Sequence, residues 1–229
     1  MFTVYLQNIE QGLMVTKGYW QYPGIMFHDR KIAPPKILKI ISDIRPDVCM
    51  FTESSVEFKK HFDSTGMNIA QFKFPNSSQC NVILTSHKII NSKSIMLQSG
   101  WQKRVLGYAK IKVGNKRVNL LVAHLALGKD ARIKQLRFIS DFINTLKGPI
   151  IFGGDLNTDD KKELNILCNA KLFLASKMMR TFPSWKALNG GGRAFDHVFV
   201  RNLSWIHASI LKENISDHTG LVIKFRNIY

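Results

Sequence analysis

Short apolar segments alternate along the chain with amphipathic ones, and this alternation limits the fold more than any other feature of the sequence. Residues 48–51 and 149–152 have the length and composition of buried strands. Apolar residues recur at helical spacing in Ile37–Ile44 and in Lys129–Leu146. Further short strands are predicted at Asn68–Phe74, Cys80–Thr85, Asp196–Val200, Leu203–Ser209 and Thr219–Phe225. Because strands and helices interleave in both halves, we predict one α/β domain with a layered sheet core over residues 1–229.

Positive charge is concentrated in one segment. The sequence has 33 Lys and Arg residues against 16 Asp and Glu residues, a formal net charge of +17. Residues 84–137 contain twelve basic residues and one acid, Asp130, and so carry +11 of that excess. For any single lysine a solvated face is the simpler interpretation, but the whole block predicts a surface that attracts a phosphate polymer. We expect contacts with nucleic acid from Lys103, Arg104, Lys110, Lys112 and Arg132.

Part of this basic segment has the pattern of a β-hairpin. Arg104–Val113 and Lys116–Leu125 flank Gly114-Asn115, a dipeptide suited to a two-residue turn. Lys110 and Lys112 are two residues apart, so we expect both side chains on one face of the sheet.

Cysteine content and the N-terminal residues bear on where the protein works. Cys49, Cys80 and Cys168 are too few and too scattered for a disulfide scaffold or a paired-cysteine zinc site. We interpret them as small buried hydrophobic residues in a reducing compartment. No apolar run approaches the roughly 18–20 residues of a membrane span, and residues 1–6 enter a strand-like run without a signal-peptide pattern. We therefore expect a cytoplasmic protein, and we expect it to be monomeric.

Several predicted strands run directly into, or begin at, polar residues that are costly to bury. These residues are Asn8, Glu53, His124, Asp155 with Asn157, Asp196, and Asp217 with His218. If the strand ends converge at one edge of the sheet core, the polar groups line a single cleft. Carboxylate and amide oxygens are the ligands that Mg²⁺ prefers, and a His–Asp pair can move protons. The residues alone therefore predict metal-assisted hydrolysis of a phosphate ester.

Taken in order, these motifs resemble the endonuclease/exonuclease/phosphatase superfamily, which includes deoxyribonucleases, apurinic endonucleases, sphingomyelinases and inositol polyphosphate phosphatases. The resemblance runs over nearly the whole chain, from residues 6–9 to residues 216–221. Its most specific parts are Gly-Gly-Asp-Leu-Asn at 153–157 and Ser-Asp-His at 216–218. It implies a four-layered α/β sandwich, in which two packed mixed β-sheets are flanked by helices and the site lies at one edge.

The resemblance also implies a metal site. Glu53 would be the main ligand of Mg²⁺, with Mn²⁺ as a substitute, and Asn8 and Asp217 would lie near the ion.

Roles for the remaining polar residues follow from the same resemblance. Asp155 would align or deprotonate the attacking water, and Asn157 would hold a phosphoryl oxygen. His218 would pair with Asp196 and act as a base or a phosphate contact. His124 would contact the phosphate or assist the leaving oxygen. Which group is the base stays open.

Several substrates fit this pattern. A nuclease or phosphodiesterase that cleaves DNA or RNA is the first hypothesis, because the basic block favours a nucleic acid. A sphingomyelinase-like enzyme for lipid or small phosphoesters is an alternative. A tyrosyl-DNA phosphodiesterase-like repair enzyme is another, although residues 181–184 read Thr-Phe-Pro-Ser where that branch has Thr-Trp-Asp-Thr. A catalytically silent polyanion-binding protein is disfavoured by the complete set of carboxylates.

Overall fold

The computed structural model describes residues 1–10, 33–98, 103–213, 215–226 and 228. Its strands are β1 (Phe2–Asn8), β2 (Val48–Ser55), β3 (Asn68–Lys73), β4 (Gln79–Thr85), β5 (Lys88–Leu97), β6 (Arg104–Val113), β7 (Lys116–His124), β8 (Ile150–Asp155), β9 (Phe173–Leu174), β10 (Asp196–Arg201), β11 (Trp205–Ile210) and β12 (Leu221–Phe225). Its α-helices are α1 (Ala33–Ile44), α2 (Lys59–Asp63), α3 (Lys129–Asn144), α4 (Lys161–Leu164) and α5 (Ser184–Ala187). Short 3₁₀ helices cover Val56–Phe58 and Asn165–Ala170.

The strands form two mixed six-stranded sheets. The first sheet has the order β11-β12-β1-β2-β4-β3, and the second has the order β5-β6-β7-β8-β10-β9. Alternate side chains of both sheets, such as Leu6 of β1 and Leu120 of β7, are fully buried in one apolar core between them. Ile37 of α1 packs on the outer face of the first sheet, and Ile139 of α3 packs on that of the second. The predicted four-layered α/β sandwich is therefore confirmed.

Strand directions bring the polar strand ends to one edge of the sandwich. β1 and β2 run parallel in the first sheet, and β7 and β8 run parallel in the second, where His124 pairs with Asp155. β10 runs antiparallel to β8, so its first residue, Asp196, also pairs with Asp155. β12 runs antiparallel to β1, which places the residues just before it at the same edge.

A close approach of β7 and β8 fixes the spacing of this edge. Gly154 has φ +156°, and a Cβ atom built on it would lie 1.8 Å from the carbonyl oxygen of Ala123. Only glycine fits between the two backbones at this point. The polar residues that follow, His124 and Asp155, are therefore held side by side.

The basic hairpin has the predicted strands, whereas its neighbour β5 was not predicted from the sequence. β6 and β7 flank Gly114-Asn115 as expected, with φ +56° at Gly114. β5 pairs antiparallel with β6 and forms the edge of the second sheet, and most of its residues are exposed. Because both of its faces carry polar residues, it lacks the apolar alternation that identifies a strand.

The sequence predicts that all three cysteines are buried and that no segment spans a membrane. Cys49 and Cys80 are buried, but Cys168 is exposed on the 3₁₀ helix beside α4, so the prediction of a buried residue is wrong there. Among the described residues, the helices are too short or too polar for any of them to cross a lipid bilayer.

Arg132 is a buried structural residue, which corrects its assignment to a nucleic-acid surface. Its guanidinium donates from Nε to Glu163 Oε2 at 2.6 Å and from Nη2 to Glu163 Oε1 at 3.1 Å. Nη1 donates to the backbone oxygens of Ala126 and Leu127. These bonds occupy every nitrogen of the guanidinium, so the side chain joins α3 to α4 and is not available to a phosphate.

Replacing Arg132 should therefore destabilise the fold. In Arg132→Ala the Glu163 carboxylate stays buried without its partner, and we expect the free energy of unfolding to fall by about 3–5 kcal/mol. Urea unfolding followed by circular dichroism measures the change. Arg137→Ala, on the exposed side of the same helix, is the matched control and should shift stability by less than about 0.5 kcal/mol. Equal effects in the two variants would contradict the structural role.

Candidate active site

The polar strand ends enclose a cleft of about 660 Å³ at the shared edge of the two sheets. Polar residues on its surface include Glu53, His124, Asp155, Asn157, Asp217 and His218. Phe74, Phe182 and Phe195 add apolar walls, and Lys103 and Arg104 add positive charge. A cleft that brings several charged and polar side chains together suits a reaction at a charged group.

Asn8, Glu53 and Asp155 meet at the bottom of this cleft, although they come from different sheets. Asn8 Nδ2 donates to Glu53 Oε1 at 3.2 Å and to Asp155 Oδ2 at 3.0 Å. Glu53 adopts φ +51° where the register of β2 against β4 shifts between Phe51 and Ser54. Such an irregularity redirects one side chain out of the alternating pattern of the strand, and here that side chain lines the cleft.

The donor atoms at this point fit a divalent cation. One ligand atom each from Glu53, His124 and Asp155 lie within 4.8 Å of one another. Burial, the first cause, raises the pKa of Asp155 to about 7, and the charge of Asp196 adds to the increase. Crowded, desolvated carboxylates are stabilised by a bound cation, and hard oxygen donors match Mg²⁺ or Mn²⁺.

His218 and Asp196 form a buried pair on the other side of Asp155. His218 Nδ1 lies 2.6 Å from Asp196 Oδ2, and its Nε2 lies 3.7 Å from Asp155 Oδ2. Burial by itself lowers the pKa of His218, but the charges of Asp196 and Asp155 outweigh it and raise the pKa well above the usual value. His218 is therefore an imidazolium at neutral pH, with Nε2–H directed towards the cleft.

Ser216 fixes the loop that carries Asp217 and His218. Its Oγ donates to the carbonyl oxygen of Asn8 at 2.6 Å and accepts from the backbone N–H of His218 at 3.1 Å. Gln7 Nε2 donates to the carbonyl oxygen of His218 at 2.8 Å. The loop is thus tied to the end of β1.

His124 differs from His218 because it lies next to a cation. Arg104 Nη1 lies 3.1 Å from His124 Nδ1, and burial followed by the charge of Arg104 lowers the pKa of His124 well below its usual value. The guanidinium is always protonated, so it donates to Nδ1 and leaves the proton of the neutral ring on Nε2. That Nε2 lies 3.7 Å from Asp155 Oδ2. The cleft therefore holds one neutral and one charged histidine, on opposite sides of Asp155.

Asn157 and Asp217 complete the set predicted from the sequence. The backbone N–H of Asn157 donates to Asp155 Oδ1 at 2.9 Å, and its Nδ2 donates to the carbonyl oxygen of Leu125 at 2.9 Å. Burial raises the pKa of the Asp217 carboxyl, His218 lowers it, and Glu53 raises it further. Both side chains line the cleft.

Of the four predicted nucleic-acid contacts other than Arg132, two lie at the cleft and two do not. Lys103 and Arg104 line it, whereas Lys110 and Lys112 lie towards the other end of β6, opposite Asn119 and Arg117 of β7. The sequence could not distinguish Lys103 and Arg104 from Lys110 and Lys112. A pattern of charges predicts that residues share a strand, but it does not show which end of the strand lies at the cleft.

Neither the aromatic wall of the cleft nor the carboxyl group of Glu10 near Asp217 was identified from the sequence. The Phe182 ring lies 4.8 Å from the His218 ring and stacks on Phe195 at 5.4 Å. Glu10 follows Asn8 by two residues, and burial, with the charges of Asp217 and Glu53, raises its pKa to about 8. Phe182 and Phe195 lie within or beside recognised motifs, but isolated aromatic residues are usually assigned to the core.

Comparison with known proteins agrees with this geometry. A model of the Endonuclease/Exonuclease/phosphatase family matches residues 26–218. The chain therefore belongs to this family, as its motifs predicted, and it has the phosphoester-hydrolase domain of the family.

Curated relatives match a shorter region. A UPF0294 protein of Klebsiella pneumoniae (strain 342) is 34% identical over 108 residues, which are 47% of this chain and 40% of the relative. A UPF0294 protein of Yersinia pseudotuberculosis is 33% identical over 111 residues, 48% of this chain and 42% of the relative. The match thus covers about two fifths of the length of these relatives.

Solved structures share the fold over the whole chain. The mannosyl-6-phosphatase Bt3783 of Bacteroides thetaiotaomicron superposes with a TM-score of 0.83 at 15% identity, covering 99% of this chain and 100% of that one. A humanized TDP2 of D. rerio superposes with a TM-score of 0.79 at 17% identity, covering 99% of both chains. TDP2 of D. rerio complexed with a single strand DNA product has a TM-score of 0.76 at 16% identity, again covering 99% of both chains.

The buried pair of His218 and Asp196 predicts how the pKa of His218 changes when the charge of Asp196 is removed. In Asp196→Asn the largest cause that raises the pKa of His218 is removed, so the pKa of its imidazole should fall. NMR titration of the ring nitrogens measures the shift. Asp159→Asn, which removes a carboxylate paired with Arg193 outside this pair, is the control and should leave the titration of His218 unchanged.

The raised pKa of His218 also predicts how the free energy of unfolding depends on pH. The pKa of His218 is raised in the folded state, so its contribution is fully present below the unfolded value of about 6.5 and is lost as pH rises through the folded pKa. Asp196→Asn should weaken this pH dependence of the unfolding free energy, because Asp196 is the largest of the three charges that raise the pKa. A variant that retains the pH dependence in full would exclude Asp196 as a cause.

Proposed function

We propose that this domain is a divalent-metal-dependent phosphodiesterase that cleaves nucleic acid by attack of water on the phosphate. One observation carries the proposal: carboxylates, a charged histidine and a neutral histidine surround a single point in a cleft whose mouth is basic. This combination suits a reaction in which negative charge builds on phosphoryl oxygens while water loses a proton.

The metal would be held by carboxylate oxygens at the end of β2 and in the loop before β12. Glu53 would be the main ligand, with Asn8 and Asp217 beside it. The bound Mg²⁺ or Mn²⁺ would supply stabilisation of negative charge on the phosphoryl oxygens.

Proton transfer is assigned to groups of this chain. Asp155, with a pKa raised to about 7, is suited to accept the proton of a water molecule at neutral pH. His218 holds its proton through Asp196 and can donate a hydrogen bond from Nε2 to a phosphoryl oxygen. His124 can donate from its neutral Nε2 to an oxygen on the opposite side of the cleft, and Asn157 can donate to a phosphoryl oxygen.

A nucleic acid as substrate is supported by charge and by aromatic groups. Lys103 and Arg104 give the cleft mouth positive charge that would attract a phosphate backbone. The stacked rings of Phe182 and Phe195 offer a surface on which a base beside the cleaved bond can lie. TDP2 of D. rerio, which shares this fold, binds a single strand DNA product.

A phosphatase for a small phosphoester is a second candidate. The cleft volume of about 660 Å³ lies within the usual range for small-molecule sites. The similarity in fold to a mannosyl-6-phosphatase also favours it.

A panel of substrates separates these functions. Single-stranded DNA, duplex DNA, RNA, abasic DNA, a phospholipid vesicle and a sugar phosphate are each incubated with the protein and Mg²⁺. The proposal predicts cleavage of at least one nucleic acid with turnover at least about tenfold above that of the sugar phosphate. Release of phosphate from the sugar phosphate alone would support the second candidate instead.

Glu53→Gln tests the metal site directly. The change keeps the shape of the side chain but removes its charge, so we expect kcat to fall by about 10²–10³. Calorimetric titration with Mn²⁺ should show metal affinity reduced by at least about tenfold. Glu57→Gln, on the exposed 3₁₀ helix after β2, should change neither.

Chelation gives an independent test. EDTA should abolish hydrolysis, and added Mg²⁺ or Mn²⁺ should restore it. Activity that survives complete chelation would reject the metal role.

A further inference from the structure

A row of three cations crosses the second sheet at the end remote from the cleft. Lys88 of β5 pairs directly with Lys112 of β6, and Lys112 pairs directly with Arg117 of β7. All three side chains are exposed, and they line a groove of about 510 Å³. We call these three residues the cation ladder.

The three cations of the ladder lie next to one another, and this arrangement does not stabilise the sheet. Residues directly opposite on neighbouring strands have Cβ atoms about 4.5–5.5 Å apart, and like charges at such positions are destabilising. Within the residues that the structure describes, no member of the ladder forms an ion pair. An anion in the groove would relieve the repulsion between all three cations.

An edge strand connects the ladder to the cleft. β5 begins at the ladder and ends at Leu97, which pairs with Arg104 at the cleft mouth. Its ten residues include no Asp or Glu. Midway along it, the Lys93 ammonium lies 5.0 Å from the Phe142 ring and 5.7 Å from the Tyr108 ring, on the same outer face. A polyanion that follows β5 meets positive charge at both ends and in the middle.

The distance between ladder and cleft favours a polymer over a membrane. Lys112 is eight residues from Arg104 on β6, or about 26 Å at the usual rise of a strand. A bilayer seated on the ladder would hold its phosphates that far from His218 and Asp155. At the duplex spacing of ~3.4 Å per phosphate, a strand longer than about eight nucleotides would reach both places, and a more extended single strand would need no more than that.

We propose that the cation ladder is a second binding site, which takes the phosphate backbone of a nucleic-acid strand whose cleaved bond lies in the cleft. The inference rests on the proposed nuclease function and adds to it a preference for long substrates. Short oligonucleotides occupy the cleft alone, whereas long ones contact the ladder as well.

The test compares two charge-neutralising double variants. Lys88→Gln/Lys112→Gln removes two ladder charges. The control, Lys60→Gln/Lys171→Gln, removes two exposed charges, one on α2 and one just after the 3₁₀ helix Asn165–Ala170. Affinity is measured by fluorescence anisotropy with labelled single-stranded DNA of about 4 to about 30 nucleotides, in EDTA so that no strand is cleaved.

For the wild type and the control variant, we expect affinity to rise once the strand exceeds about eight nucleotides. The ladder variant should bind long strands about tenfold more weakly, with a salt slope reduced by about 1.4, and should bind the shortest strands unchanged. Unchanged affinity for long strands, or an equal loss at every length, overturns the proposal. Loss of binding to phosphatidylserine vesicles with DNA affinity unchanged overturns it in favour of a lipid site.

Cleavage assays with Mg²⁺ separate this inference from the proposed function. If long strands bind through the ladder but none is cleaved, the nuclease function fails while the ladder stands. If the wild type cleaves short and long strands equally well and the ladder variant matches it, the ladder fails while the nuclease function stands.

Discussion

The hydrogen bond from Asn8 to Asp155 joins the two sheets at the edge where the cleft lies, and the other site contacts depend on it. Asn8 ends a strand of the first sheet, and Asp155 ends a strand of the second. A buried carboxylate must be paired or neutralised, and Asp155 is approached by Asn8, His124 and His218. Sheet packing therefore sets the positions of Asn8, His124 and Asp155. His218 lies on a loop that Ser216 and Gln7 tie to the end of β1.

The electrostatics of the site follow from this arrangement. Two histidines lie at the same distance from one carboxylate oxygen, yet their neighbours give them opposite charge states. Burial and then the charge of Arg104 lower the pKa of His124, whereas the charges of Asp196 and Asp155 outweigh burial and raise the pKa of His218. One site thus holds a carboxylate with a raised pKa, a charged histidine and a neutral histidine, and the proposed hydrolysis of a phosphate ester assigns a different role to each.

The hairpin strands and the polar residues of the cleft could be predicted from the sequence, because each has a local physical signal. β6 and β7 were predicted because a turn dipeptide separates two apolar alternating runs, and the polar strand ends were identified because burying Asp155 or His218 is costly without partners. Neither signal depends on distant parts of the chain. Family motifs then supplied the four-layered arrangement, which local patterns alone do not specify.

What could not be predicted depends on partners distant in sequence. The sequence neighbours of Arg132 are those of a surface residue. Its burial depends on the pair it forms with Glu163, which lies 31 residues later in the chain. Phe182 forms the wall of the cleft because of its contact with His218, 36 residues away in sequence. β5 has no apolar face of its own, and it is a strand because β6 provides hydrogen bonds along its whole length.

The contact of Gly154 with Ala123 has a consequence for how this protein can vary. Position 154 admits no side chain, so the separation of His124 and Asp155 is determined by one backbone touching another. Apolar residues between the sheets can then be exchanged for others of similar volume, as cores generally allow, without altering that separation. The core can therefore diverge in sequence while the separation of His124 and Asp155 stays the same.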